Sequence, residues 1–450
     1  MKTVDKSLYT FLLITCCLSI YLYVLTGYHT ERIETNKLIT SYGILFIAFI
    51  SIMFNKIRPL EIFVIGLIFR LVFIISLPTL SQDFYRFIWD GNLQLEGINP
   101  YLYSPNDLIH KNNLFYLAND LFKGMGNLSN IHYSNYPPIS QWIYIVASYF
   151  GGINLDHSVL ILRLIILFFE ICNFYILYKI LNVLKLPPNR IGWYFLNPLV
   201  IIELSGNLHG EGIMMFFFLL GVWFLYNNQT LKSSIMMAFS IGTKLITLIL
   251  IPLYLKNLGA KKSLLYFLLV VLFFAILWIP YLDNNFFINY IKTIQLWLNR
   301  FEFNASIYYL VRELGFYFKG YNVIQEFGKI TPYVMILFIS FFTFFSENKN
   351  LKQILIHQLL LLSIYFFLST TVHPWYIVSL VILCIFTPYF YPIIWSATVF
   401  LSYSAYTSKG FQENFILISI EYLIVFGIFI FEILGGKNKI FKAFAKNSTP

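Results

Sequence analysis

Apolar runs of about 20 residues recur from one end of this chain to the other, and that recurrence leaves few folds open. A helix rises roughly 1.5 Å per residue, so each such run can cross a hydrocarbon layer of roughly 30 Å. Of the 450 residues, 58% are hydrophobic and only 12% charged, about half the charge of a typical soluble domain. The pattern predicts an all-α polytopic membrane protein with no soluble domain of useful size.

Spans are read at 7–27, 38–54, 59–79, 157–182, 190–206, 211–227, 233–243, 245–256, 263–281, 331–346, 352–371, 374–390, 391–407 and 413–432, about 13 or 14 transmembrane helices in one domain, 1–450. The first run lacks a small-x-small cleavage site and reads as a retained span. Two long polar segments, about 80–156 and 282–330, interrupt the series. Within the first, Ile139 to Phe150 is too short to cross and suits a helix lying at the interface, with Trp142 and Tyr144 at headgroup level. The stretch 231–256 reads as two short helices meeting near Lys244, because a lone ammonium at mid-bilayer costs on the order of 3 kcal/mol. Broken helices are tolerated where they line a wet cavity.

Charge orients this layout. With the N-terminus in the cytoplasm, seventeen Lys and Arg side chains, among them Lys2, Lys56 and Lys437 to Lys446, lie inside against Asp5 and Glu347. Eleven basic residues face fourteen acidic ones outside, as the positive-inside bias requires. Asp83, Asp90, His209, Glu211, Lys244, Asp283 and His373 then all fall at outer helix ends or in outer loops. A transport path would scatter its charges across both faces. The net charge of +10 sits mostly in short loops, which argues against a nucleic-acid partner. The cysteines Cys16, Cys17, Cys172 and Cys384 lie in apolar segments without a metal or disulfide spacing.

The densest polar cluster is Ser81-Gln82-Asp83-Phe84-Tyr85-Arg86-Phe87-Ile88-Trp89-Asp90-Gly91, followed by Gly97-Ile98-Asn99-Pro100-Tyr101. Charges beside a membrane are costly and usually functional. No P-loop, G-x-G-x-x-G, nucleophile elbow or H-E-x-x-H occurs. Carboxylates, a few cations and many aromatics remain, an inventory suited to sugars. Transfer from a sugar phosphate needs one carboxylate to accept the proton of the attacking hydroxyl, and cations to stabilise the departing phosphate. A glycosidase would need two carboxyl groups.

Asp83-x-x-Arg86-x-x-Trp89-Asp90-Gly91 with Gly97-x-Asn99-Pro100-Tyr101 resembles the first outer loop of membrane glycosyltransferases of the GT-C fold, in particular bacterial mannosyltransferase-like members using polyprenyl-phosphate sugars. Tyr136-Pro137-Pro138 with Gln141, His209-Gly210-Glu211, Lys244 after Gly242, Phe303-Asn304 and His373-Pro374-Trp375-Tyr376 follow in the same order. The chain departs from the pattern in having Gln82-Asp83 where relatives carry an acidic pair, and Glu211 where an aspartate is common.

The resemblance implies that Asp83 is the general base; the same carboxylate would also suit a helix N-terminus, worth about 0.3–1 kcal/mol. Glu211 could assist it, hold a divalent cation (Mg or Mn), or cap a helix. Arg86 could contact phosphate or form an ion pair. Asp90 and Asn99 could bind sugar hydroxyls or make turns. Trp89, Tyr101 and Tyr136 could stack on a sugar or anchor at the interface. Lys244 is the leading phosphate ligand, since an intramembrane lysine needs an anion or water. His209 and His373 could contact the substrate or mark helix ends. Glu203, Glu421 and Glu432 have no role assignable from sequence.

The implied function is inverting transfer of a hexose, mannose by resemblance, from a polyprenyl-phosphate donor to a glycan or glycolipid hydroxyl. The site would face outward from a bacterial inner membrane. The rival is a carrier or flippase for lipid-linked saccharides, which should show internal repeats and charges spread through the bilayer depth.

Overall fold

The computed structural model describes residues 6–55, 57–111 and 114–435. Lys2, Lys56 and Lys437 to Lys446, used in the charge count, lie outside them. The described chain is helical nearly throughout. Its paired strands are the two-residue segments Tyr406–Thr407 and Gly410–Phe411. The all-α polytopic reading therefore stands.

Seven helices among the described residues are long and apolar enough to cross a bilayer: Tyr9–Tyr28, Thr35–Met53, Leu155–Val183, Ala260–Tyr281, Ile324–Phe345, Leu351–Leu368 and Phe415–Ile433. The broken pair Pro198–Gly206 and Glu211–Tyr226 makes up to eight. That is fewer than the 13 or 14 spans read from the sequence. The other apolar runs are short or broken. Segment 190–206 becomes a 3-10 turn Pro188–Ile191, helices Gly192–Phe195 and Pro198–Val200, and a π-turn Ile201–Gly206. Segment 374–390 becomes Pro374–Tyr376 and Ile377–Cys384. Residues 191–208 and 377–386 are buried without a break. A helix apolar all round is as much the mark of a protein core as of a lipid contact, and irregular backbone is tolerated where protein covers it.

The chain divides into two compact units. The first comprises Met1–Leu80, Leu177–His209 and His373–Pro450. Three acids without an assigned role find one here. Glu203 accepts from Tyr403 Oη at 2.7 Å and Asn207 Nδ2 at 3.1 Å. Glu421 accepts from Trp395 Nε1 at 2.9 Å. Glu432 accepts from the backbone N–H groups of Phe390 and Tyr391 at 2.9–3.0 Å. Each carboxylate is paired with buried donors, side-chain ones for Glu203 and Glu421 and backbone ones for Glu432, which is how buried acids are normally retained.

The second unit comprises Ser81–Ile176 and Gly210–Val372. The segment read as the first outer loop folds as helices Asp83–Leu95, Ala118–Asn130 and Pro138–Gly151. The last of these, expected at the interface, buries Ile139, Ser140, Gln141, Tyr144, Ala147 and Ser148. It exposes Trp142, Val146, Tyr149 and Phe150. Gly91 lets Asp83–Leu95 approach it closely: a Cβ there would lie 2.2 Å from Tyr144 O and 2.4 Å from Ser148 Oγ. Further along, the helix Thr230–Thr243 stops at Lys244, whose backbone is extended (φ −149°, ψ 133°), and a 3-10 helix Leu245–Tyr254 follows. The break expected at Lys244 is present.

Gly91→Ala should destabilise the protein by about 1–3 kcal/mol, because backbone must move to admit the methyl. Gly43→Ala, where no atom lies within 4 Å of the added carbon, should be neutral or stabilising by up to about 1 kcal/mol. Thermal unfolding in detergent separates them, and equal midpoints would contradict the packing described.

Candidate active site

Asp83 is the first residue of its helix, half-buried, and its carboxylate lies in the first turn. Its backbone N–H donates to Ser81 Oγ at 3.3 Å. Three and seven residues on, Arg86 and Asp90 are buried, at 4% and 0% exposure. They pair one helical turn apart, with Nε donating to Oδ1 at 2.7 Å. Arg86 Nη1 also donates to the carbonyls of Ser129 and His132, both at 2.8 Å. Asp90 Oδ2 accepts from Ser134 Oγ at 2.5 Å and Gln141 Nε2 at 3.0 Å. Gln141 accepts in turn from Gln94 Nε2 at 2.7 Å.

This network corrects several sequence expectations. Asp90 is spent on protein donors and does not face sugar hydroxyls. Arg86 is buried against Asp90 and two carbonyls, with Nη2 left without a partner among the described residues. Trp89 is fully buried against Phe115 and Phe122, so its indole offers no stacking face. Tyr101 is also fully buried, packed among Trp278, Tyr281, Phe286 and Tyr290, and donates to Tyr136 O. Asn99 makes the turn: its Oδ1 accepts from Tyr101 N at 3.0 Å and its Nδ2 donates to Tyr281 O at 2.9 Å.

The helix Pro138–Gly151 joins this network to Lys244. On one side it carries Gln141. On the other, Ser140 Oγ donates to Thr243 O at 2.8 Å, one residue before Lys244, and Ile139 packs where Gly242 leaves room. Lys244 forms an ion pair with Glu211 Oε1. Glu211 is buried, and its second carboxylate oxygen has no hydrogen-bond partner in the protein. The Tyr144 phenol registers this convergence. Burial pushes it well above the usual range, the Asp90 charge adds to that, a hydrogen bond with Ser140 opposes it, and Asp83 and Glu211 raise it further. Tyr136, edge-on to Tyr144 and Phe87, is likewise raised by burial first and then by Asp83. Asp83, Asp90 and Glu211 all act electrostatically on the Tyr144 phenol.

The first unit holds the two histidines. His209 and His373 both stack on Trp375, with ring centroids 3.8 Å and 4.3 Å away. Glu203 holds His209 Nδ1 at 3.2 Å. Sequence reading passed over Ser134; Gln141 and Trp375 appeared only as parts of motifs. Nothing short of their partners' positions marks them out.

Among the described residues, no three His, Cys, Asp or Glu side chains are grouped as metal ligands would be. Glu211 alone, already paired with a lysine, does not fit a divalent-cation site.

The helical fold is that of a multi-pass membrane protein, and its class follows from comparison with a known family. Residues 20–258, more than half of the chain, match the α-(1→6)-mannopyranosyltransferase family over its N-terminal domain, and the chain belongs to that family. No curated protein matches it. The protein is thus a multi-pass membrane enzyme that acts on a sugar donor and an acceptor, rather than a carrier. The matched region includes Asp83, Glu211 and Lys244.

Asp90→Ala would leave Arg86 buried and unpaired and should cost about 3–5 kcal/mol of stability. Replacing the pair together, Arg86→Met with Asp90→Leu, should recover much of that loss. Thermal unfolding of the three proteins checks this; a double variant no better than the single would show that the ion pair is not what Asp90 provides.

Proposed function

We propose that the enzyme transfers mannose from a polyprenyl-phosphate donor to an acceptor hydroxyl, with inversion, on the extracytoplasmic side of a bacterial inner membrane. The observation that carries this reading is the division of labour between two carboxylates on one helix. Asp90 is locked by Arg86, Ser134 and Gln141. Asp83, at the start of the same helix, is half-buried rather than enclosed.

In this mechanism Asp83 accepts the proton of the acceptor hydroxyl as its oxygen attacks the anomeric carbon. The bond from that carbon to the phosphate oxygen breaks, and the phosphate leaves with the electron pair on the prenyl lipid. Sugar phosphates have a stable leaving group, so no second carboxyl group needs to act as an acid. Lys244, held by Glu211 and 23% exposed, supplies positive charge near the departing phosphate. The charges of Asp83 and Glu211 both act on Tyr144, which supports assigning base and cation to one site. No step is routed through a divalent cation.

Asp83→Asn should lower mannosyl transfer by about 10²–10⁴-fold, the usual worth of a positioned base, with an unchanged unfolding midpoint. Normal turnover by a folded Asp83→Asn protein would remove Asp83 from the role. Sidedness has its own check. In a cysteine-free background, an impermeant maleimide added outside intact cells should label Asp283→Cys; labelling only after the membrane is opened would reverse the topology.

A further inference from the structure

The second unit contains a cavity of about 430 Å³ lined by His132, Lys292, Gln295, Arg300, Gln325 and Lys329, together with three neighbours. Its lining holds three permanent cations and no carboxylate. None of Lys292, Arg300 or Lys329 pairs with an acid within 4.0 Å among the described residues. Glu326, the acid whose charge Lys329 influences, is already held by Tyr321 at 2.9 Å and lies 3.9 Å from Lys319. Gathering like charges around a cavity is unfavourable unless an anion occupies it.

Lys292, Arg300 and Lys329 are exposed side chains at the cavity's rim, but the backbone that carries its walls is anchored. His132 is fixed because its carbonyl accepts from Arg86 Nη1 at 2.8 Å, so the catalytic-loop ion pair sets one wall. The helix Phe286–Asn299, carrying Lys292 and Gln295, forms another. Asn289 Nδ2 on that helix donates to Tyr101 O at 3.2 Å, and Tyr290 Oη donates to Asn135 O at 3.4 Å. Gln325 and Lys329 sit one turn apart on the helix Ile324–Ser340. The field is strong enough to act on His132, whose imidazole is held below its usual range by burial and by the charges of Arg86 and Arg300.

We infer that this cavity binds a phosphate group of the lipid-linked substrate or product, through Arg300, Lys292 and Lys329. An arginine offers a planar pair of donors to phosphate oxygens and the lysines act as point charges. The volume falls in the range of small-ligand sites and exceeds that of a bare phosphate, leaving room for an attached group. This rests on the proposed reaction and deepens it: Arg86, first read as a phosphate ligand, instead positions the wall of the site that holds one.

The test uses the full chain in detergent and phosphorus NMR line broadening with two probes, a short-chain polyprenyl monophosphate and inorganic phosphate. Wild type should bind the prenyl phosphate, with affinity falling as salt rises. Lys292→Gln/Arg300→Gln/Lys329→Gln should bind at least about tenfold more weakly, and Lys329→Gln alone should be intermediate. Parallel loss with inorganic phosphate identifies recognition of phosphate alone; loss confined to the prenyl probe identifies a lipid-head site. Equal binding by wild type and the triple variant, with unfolding midpoints unchanged, would overturn the inference, as would no binding of either probe to wild type. Asp83→Asn should still bind, so a failure of the base assignment and a failure of this site are read separately.

Discussion

The buried ion pair between Arg86 and Asp90 organises the second unit. Both side chains are withdrawn from water, and a pair in that position is stabilising only when its remaining polar atoms are satisfied. Here all but Arg86 Nη2 find partners, and these come from far along the chain: Ser129, His132, Ser134 and Gln141. The desolvation of two charges is thereby converted into a fixed path for the segment 129–141. That path brings the helix Pro138–Gly151 against Gly91, and through Ser140 against the turn before Lys244.

The pair also sets two carboxylates of one helix in different surroundings. Two acids on one helix, seven residues apart, look alike in a list of residues. One is enclosed by an arginine, a serine and a glutamine, and the other begins the helix where the macrodipole favours negative charge. The dipole reading and the catalytic reading of Asp83 are compatible. A base that must stay ionised benefits from a helix N-terminus.

Covering backbone with protein is the second constraint on this chain. Hydrocarbon offers no partners to peptide groups, so a broken helix in an apolar segment needs cover from protein. In the first unit the cover is extensive enough to admit 3-10 and π turns at 188–206. Buried acids take up the freed donors, as Glu432 does for the backbone at Phe390 and Tyr391. Fewer unbroken long helices than apolar runs result. The apolar runs at 190–206 and 374–390 are core, and their composition is the same as that of a lipid-facing helix.

From sequence alone came the helical membrane class, the break at Lys244 and the helix after Pro138. These depend on local chemistry: run length, a lysine in an apolar stretch, a proline pair. The roles of individual residues did not. Trp89 and Tyr101 became core, and Asp90 became a lock, through partners such as Ser134 and Gln141, 44 and 51 residues away from Asp90. Burial and pairing are properties of contacts between distant segments. Only the tertiary structure decides which of several identical carboxylates, or which of many apolar runs, meets protein and which meets substrate or lipid.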